Sequence, residues 1–448
     1  MLASIPAVQA TSRITVIGTG CLGTTHAAVM ASLGHDVLGV DIDPVKVAEL
    51  SAGRVPFFEP GLEELLVPQL EAGRLRFTTS FVEAAEFGDV HFVCVGTPQR
   101  PESMAADLQY VEAAFTSLAE CVDRPCLVVG KSTVPVGTAA RMSELVSDRA
   151  RSGISISVAW NPEFLREGHA VQDALRPDRL VIGTTDDAAA DLLREVYAPL
   201  LDAGVPLVNT DLATAELVKA SANAFLATKI SFINAMAEVC EASGADVTML
   251  ATALSYDDRI GGRFLNAGLG FGGGCLPKDI RAFMARAGEL GADQALSFLK
   301  EVDAINVRRR QRMVELARQL VGGSFLGCTV GVLGCAFKPE SDDVRDSPAL
   351  NVAAQIQLQG AQVLVYDPQA MANARALFPT LDYRGSALDA AKGANVLLHL
   401  TEWREFRDMD PDDLADIVTD RRIVDGRNAL DPVRWRAAGW TYRALGRP

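Results

Sequence analysis

Among the residues whose types can do chemistry, the most telling is a cysteine preceded by three glycines. It is Cys275, in the run GLGFGGGCLPKD at 268–279. Pro277 suits the first turn of a helix, so the thiol stands where a helix begins. A helix N-terminus stabilises a thiolate, and the adjacent Lys278 adds positive charge. Asp279 lies four residues beyond the cysteine. A cysteine without such a setting is ordinarily a packed apolar side chain; the glycines, the helix start and Asp279 point to a nucleophile instead.

Two further groups carry polar chemistry. Glu216, Lys219 and Asn223 fall at i, i+3 and i+7, one stripe of a helix otherwise rich in Leu, Val, Ala, Phe and Ile. A solvated face is the plain alternative, but so apolar a helix favours burial of the stripe. A buried lysine needs a partner or has a lowered pKa, and either state serves chemistry on a hydroxyl. The run Asn161–Gly168, NPEFLREG, places Glu163 and Glu167 four apart, on one face if a helix begins there. Acids are also ordinary at helix starts, so these residues alone assign no role to the pair.

The third signature is Gly18-Thr19-Gly20-Cys21-Leu22-Gly23, a G-x-G-x-x-G between a strand-like run and a helical one. Glycines let the backbone approach a pyrophosphate, and the helix N-terminus supplies partial positive charge. Asp41 ends the next strand. A carboxylate there bonds both ribose hydroxyls and repels a 2′-phosphate, which favours NAD over NADP. VGTP at 95–98, with Gly96 and Thr97, and KSTVPVGT at 131–138, with Thr133, end the next two strands, where such folds bind ligands.

The elements that must position these residues form three segments. Strand-like runs at Arg13–Gly18, Asp36–Asp41, Asp89–Val95, Cys126–Lys131, Ile154–Trp160 and Arg179–Gly183 alternate with helical patterns, which predicts a parallel sheet covered on both faces. The first domain is 1–210. Residues Leu212–Cys240 contain neither Gly nor Pro and are apolar all round, predicting a long buried helix. Helical pattern returns from Leu276 to Leu320, making 211–320 an all-α middle domain. Strand grammar restarts at Cys328–Gly334 and continues through AQVLVYDP, Asn395–Leu400 and Arg422–Asp425, so 321–448 is a second doubly wound domain. The fold class is therefore α/β: two Rossmann-like sheets joined by a long-helix domain.

Composition narrows the function. The formal net charge is -15, which argues against nucleic acid as partner. Eight cysteines are scattered without a CxxC pair or a Cys/His cluster, so no metal site is expected. The N-terminus carries no basic, apolar leader, and no run approaches ~20 uninterrupted apolar residues. A cytoplasmic protein without membrane contact is expected.

At this point the motifs resemble those of the UDP-glucose/GDP-mannose dehydrogenase family, on its UDP-glucose 6-dehydrogenase side. The resemblance runs from Ile14 to the C-terminus. It is carried by FFEPGLEELL at 57–66, VGTP, KSTVPVGT, NPEFLREG, AELVKASANAFLATKISFIN at 215–234, RIGGRFLNAGLGFGGGCLPKD at 259–279, FKPESDDVRDSP at 337–348 and DGRN at 425–428. It implies an NAD domain, a helical dimerising core and a C-terminal domain holding the nucleotide. It implies Cys275 as nucleophile with Lys219, Asn223 and Asp279 around it, and Thr133, Glu163 and Glu167 nearby. NAD would meet Gly18, Gly20, Cys21, Leu22, Gly23, Asp41, Lys46, Gly96, Thr97, Thr133, Glu167, Lys278 and Arg345. The sugar nucleotide, UDP-glucose, would meet Glu163, Phe164, Leu165, Arg166, Lys219, Asn223, Phe264, Leu265, Phe271, Gly272, Lys338 and Arg427. Arg259 matches an arginine that reaches a neighbouring subunit's substrate, so a homodimer or a multiple of it is implied. One departure is Gly274, where many relatives have serine; it removes a hydroxyl beside the nucleophile and loosens the loop.

The implied activity is a four-electron oxidation of a primary alcohol to a carboxylate. Lys219, Asp279 or a water between them takes the hydroxyl proton as the first hydride leaves. Cys275 adds to the aldehyde, a second hydride leaves the thiohemiacetal, and water hydrolyses the thioester with Glu167 activating it. Lys219 and Asn223 stabilise oxygen charge. Three rivals remain: the same chemistry on GDP-mannose or a UDP-N-acetylhexosamine, a two-electron hydroxyacid dehydrogenase, and a non-catalytic nucleotide-binding regulator.

Overall fold

The computed structural model describes residues 11–448. The opening decapeptide, on which the absence of a leader was read, lies outside the described residues. The chain divides after Ala222 into two compact units.

The first unit is built on β1 (Arg13–Ile17), β2 (Asp36–Val40), β3 (Leu75–Thr78), β4 (Val90–Val93), β5 (Cys126–Gly130), β6 (Ile156–Trp160), β7 (Leu180–Gly183) and β8 (Leu207–Thr210). They form one sheet in the order β3-β2-β1-β4-β5-β6-β7-β8. Successive residues of its central strands feed opposite faces. Leu127 and Val129 join one core cluster and Val128 the other, the continuous apolar pattern of a sheet covered on both sides. The expectation of an all-parallel sheet needs correction at one place: β6 and β7 pair antiparallel through Trp160 and Gly183. Their connection, residues 161–179, holds the six-residue helix Ala170–Leu175. β3 and β8 escaped the sequence reading because both are edge strands. Their short mixed runs, LRFT and LVNT, lack the apolar block of a central strand.

The helix Leu212–Ser243 runs across the division of the chain. Within the second unit follow the helices Val247–Ser255, Leu276–Glu289 and Phe298–Leu320. The pattern at 276–320 reads as continuous helix; the structure interrupts it where Gly291 takes φ +74° and a 3-10 turn, Asp293–Leu296, follows. The second sheet comprises β9 (Thr329–Leu333), β10 (Gln362–Tyr366), β11 (Asp382–Tyr383), β12 (Val396–His399), β13 (Arg422–Asp425) and β14 (Thr441–Ala444). Its order is β11-β10-β9-β12-β13-β14, and every pairing is parallel.

The long helix differs from expectation in an informative way. Its polar stripe is buried, with Glu216 2%, Lys219 6% and Asn223 6% exposed, while Phe225, Phe232 and Val239, seven residues apart, are 66%, 48% and 57% exposed. The polar groups have partners within the chain, described below, whereas this apolar stripe stays exposed among the described residues. No helix of the described residues is long and apolar enough to cross a membrane.

Candidate active site

In the first unit, β1 ends in the glycine turn and the helix Cys21–Ser32 begins at once. Gly18 takes φ +91°, a backbone state that favours glycine. A side chain at Gly23 would meet the carbonyl oxygen of Gly18 at 1.8 Å, so the third glycine lets helix and strand close together. Gly20, by contrast, has nothing within 4 Å of where a Cβ would lie. It caps the helix without a side-chain bond. Backbone donors with open space before them are what a pyrophosphate needs.

Asp41 follows β2. Its Oδ2 accepts from Thr19 N (2.9 Å), Thr19 Oγ1 (3.0 Å) and Lys46 Nζ (2.8 Å), and its Oδ1 accepts from Asp43 N (3.1 Å). Burial raises its pKa, but the Lys46 bond, the Asp43 and Thr19 N–H groups and the Lys46 charge outweigh it, so the group sits below the usual carboxylate range. An ionised acid at this point fits a ribose diol. Gly96 has open space beside it, and the Thr97 hydroxyl donates to the Thr133 carbonyl (2.8 Å), joining the two strand-end loops.

Residues 161–168 form a loop, not the helix start that would have put Glu163 and Glu167 on one face. Helix begins only at Ala170. The loop is instead held residue by residue. Asn161 Oδ1 accepts from Lys131 Nζ (2.9 Å) and Tyr197 Oη (2.6 Å), and its amide donates to the Val181 carbonyl (2.8 Å). Arg166 grips Asp173 through backbone and guanidinium. Phe164 lies under the Arg179 guanidinium, 3.6 Å from its ring centre, and Leu165 donates its N–H to Glu163. Lys131 is a buried cation whose pKa burial lowers. It was not singled out from sequence, although a lysine closing the apolar strand CLVVG is itself a signal.

Lys219 meets this loop from the long helix: its Nζ is 3.2 Å from Glu163 Oε1 and 5.5 Å from the Phe164 ring centre. Glu216, one turn earlier, accepts from Gly137 N (2.7 Å) and Ala139 N (2.6 Å), fixing the helix to the KSTVPVGT loop.

In the second unit Cys275 is exposed and stands at the N-cap of the helix Leu276–Glu289, with Pro277 in its first turn. Buried Asp279 takes Asn223 Nδ2 on one oxygen (2.6 Å) and Lys278 Nζ on the other (2.6 Å). Lys278 is thus committed to Asp279. The loop before the cysteine is pinned along its length. Asn234 accepts from Gly268 N, Asn306 bonds both N–H and carbonyl of Phe271, and Arg427 donates to the carbonyls of Gly270, Phe337 and Leu400. Gly272 and Gly273 press on the 337–348 segment, where side chains would meet Asp346 O at 2.4 Å and the Phe337 ring at 2.8 Å. At Gly274 a Cβ would come 2.3 Å from Arg345 Cζ. The expected loosening of the loop at Gly274 is therefore not what the structure shows: the guanidinium fills the space, Asp343 accepts the Gly274 N–H, and Arg345 is gripped by Asp343 (2.7 Å).

Leu265 is buried in the helical core. Phe264, half-exposed, takes φ +66°. Lys338 Nζ lies 5.3 Å from the Phe337 ring centre. Arg259 is exposed and paired with Asp257 (2.6 Å). Cys21 and Leu22 lie in the first turn of the helix after β1.

Comparison with known proteins decides the family. Three sequence profiles of the UDP-glucose/GDP-mannose dehydrogenase family match in order: its NAD binding domain at 12–201, its central domain at 213–308 and its UDP binding domain at 331–432. The chain belongs to this family. Its cofactor is NAD. It is 41% identical over 438 residues to the UDP-glucose 6-dehydrogenase of Rhizobium meliloti (strain 1021), covering 97% of this chain and all of that one. A UDP-glucose dehydrogenase structure from Pyrobaculum islandicum superposes with a TM-score of 0.91 at 38% identity, covering 100% of both chains. A UDP-D-ManNAc dehydrogenase from Pyrococcus horikoshii gives 0.85 at 28% identity, over 97% of this chain and 99% of that one.

Proposed function

We propose that this enzyme oxidises the C6 hydroxyl of UDP-glucose to a carboxylate, giving UDP-glucuronate, and that Cys275 holds the sugar covalently between the two oxidations. The observation that carries this is an exposed thiol at a helix N-cap whose first turn holds Asp279 between Asn223 and Lys278, in a chain with an NAD domain. The glycine turn and Asp41 would hold NAD, which would supply the hydride acceptor for each oxidation.

The chain's own residues do the rest. Lys219, beside Glu163 at 3.2 Å, moves the hydroxyl proton and stabilises charge on the sugar oxygen with Asn223. The Cys275 thiolate adds to the aldehyde carbon, placing hydrogen, oxygen and sulfur on one tetrahedral centre from which a second hydride can leave. Glu167 activates the water that hydrolyses the thioester and returns the thiolate. Residues 1–210, 211–320 and 321–448 would divide the work into cofactor binding, helical core and nucleotide binding. The exposed Phe225, Phe232 and Val239 stripe supports a homodimer along the long helix, which would also bring Arg259 to a neighbouring copy. Light scattering at micromolar concentration should find no monomer. Eight free cysteines suit the reducing cytoplasm.

UDP-glucose is preferred over an N-acetylated sugar because relatives named for it are 38–41% identical, against 28% for the UDP-D-ManNAc enzyme. The test is kcat/KM with NAD across UDP-glucose, GDP-mannose and UDP-N-acetylhexosamines, with the product identified by mass. UDP-glucose should lead by at least ~100-fold; a lead for another sugar overturns the substrate and leaves the chemistry.

A further inference from the structure

The motif FFEPGLEELL supplies none of the residues used so far, yet its acid is buried in the first unit. Glu59 Oε1 accepts the N–H of Ala170 (2.8 Å) and Oε2 accepts the N–H of Gly168 (2.8 Å). Cys21 Sγ, in the glycine turn, donates to the same Oε2 at 3.7 Å. One carboxylate thus grips the cofactor turn and the end of the loop that carries Glu163 and Glu167. Gly168 directly follows Glu167 and takes φ +78°, and the stretch from 161 to 168 has no ladder of its own. At the far end Asn161 is held by Lys131 and Tyr197. Asp173 holds Arg166, the residue before Glu167, and Glu59 holds Gly168, the residue after it. Burial pushes the Cys21 thiol pKa up, with Glu59, Glu167 and Glu163 adding to the rise. That group therefore stays a protonated donor, and the three carboxylates lie close around it.

We infer that Glu59 is a positioning residue for thioester hydrolysis: it sets the backbone after Glu167, and with it the direction of the carboxylate that activates water. This rests on the reading of Glu167 given above. Loosening the tie should spare both hydride transfers, which need Lys219 and Cys275, and slow only the release of the sugar.

The test uses the full-length enzyme. Glu59→Gln keeps the shape but turns an amide N–H toward one of the two backbone N–H groups the carboxylate accepted, so one tie is lost. After rapid mixing with saturating UDP-glucose and NAD, the variant should show a fast burst of two NADH per active site at near wild-type rate. Steady turnover should then be roughly 10- to 100-fold slower. Quenched protein should carry a UDP-glucuronyl mass on Cys275. Glu59→Ala should show the same split more strongly. NAD affinity should change by less than about threefold in either variant. Turnover within about twofold of wild type in both variants overturns the inference. So does loss of the burst together with turnover, or loss of the fold in both, since Glu59 would then be a purely structural residue. A wild-type enzyme that itself yields no second NADH would refute the covalent reading instead, whatever the variants do.

Discussion

The two sheets share the order of their first six strands, and each places an aspartate just after its second strand, yet the two acids are used in opposite ways. In the first sheet the helix starts at Cys21, immediately after the glycine turn, and open space lies beside Gly20. Asp41 keeps one oxygen for Thr19 and Lys46 and the other for a single N–H. In the second sheet Asp367 Oδ2 accepts Cys335 N, Ala336 N and Trp403 Nε1, and Oδ1 accepts Gln369 N and Ala370 N. It is 1% exposed, against 8% for Asp41. The helix after β9 begins only at Pro348, already capped by Ser347. The second sheet has spent on its own backbone the groups the first offers a dinucleotide. Topology alone therefore assigns no ligand; the partners of the acid do.

The largest effect belongs to neither sheet. Cys275→Ser should lower steady turnover by ~1000-fold or more, because a hydroxyl is a far weaker nucleophile at neutral pH. NAD affinity, which depends on the first sheet, should stay within about twofold of wild type by fluorescence titration. Next, Asp41→Asn should raise the NADP-to-NAD ratio of kcat/KM by roughly 10- to 100-fold, by removing the charge that repels a 2′-phosphate. Asp367→Asn should leave that ratio alone and cost about 1–3 kcal/mol of stability, since an amide cannot accept all five bonds. A cofactor ratio that moved with Asp367 would break the comparison.

The smallest effect separates the units by acid. His91 is buried with Nδ1 2.6 Å from Thr15 Oγ1, and burial pushes its pKa down to about 3. Below its ordinary value of about 6.5 the unfolded chain binds a proton the fold refuses, so stability falls with pH by up to ~1.4 kcal/mol per unit. His26 shifts in the same direction, again through burial. In the second unit burial raises the pKa of Asp425. The neighbouring His399 and the N–H groups of Leu430 and Arg427 outweigh that and hold it below the usual carboxylate range. Its contribution is present above about pH 4 and is lost only as pH falls through the depressed value. Thermal unfolding of wild type and His91→Asn between about pH 7 and pH 5 should show a shallower loss in the variant. Equal slopes would remove His91 from the account.

Much of this was legible in the sequence where one residue's chemistry depends on its neighbours in the chain. The turn at Gly18–Gly23, Asp41 after β2 and Cys275 before Pro277 are such local grammars. The polar stripe of the long helix was also legible, because a helical period links Glu216, Lys219 and Asn223. What was not legible depends on distant partners. Glu59 meets Gly168 and Ala170 from 109 and 111 residues away. Arg345 fills the space at Gly274, where the missing side chain alone suggested slack. The edge strands β3, β8, β11 and β14 lack the continuous apolar run that marks a strand buried on both faces. The loop at 161–168 was open to a helical reading because spacing cannot show that Asn161 is held by Lys131 and Tyr197.

The central claim is that one site performs two oxidations on one carbon through Cys275. Its most direct test is the NADH formed per UDP-glucose when the sugar is limiting and NAD is in excess, followed by absorbance to completion and paired with the mass of the product. The account predicts two NADH per sugar and a product gaining one oxygen and losing two hydrogens, as UDP-glucuronate. One NADH per sugar with an aldehyde as the final product would contradict it.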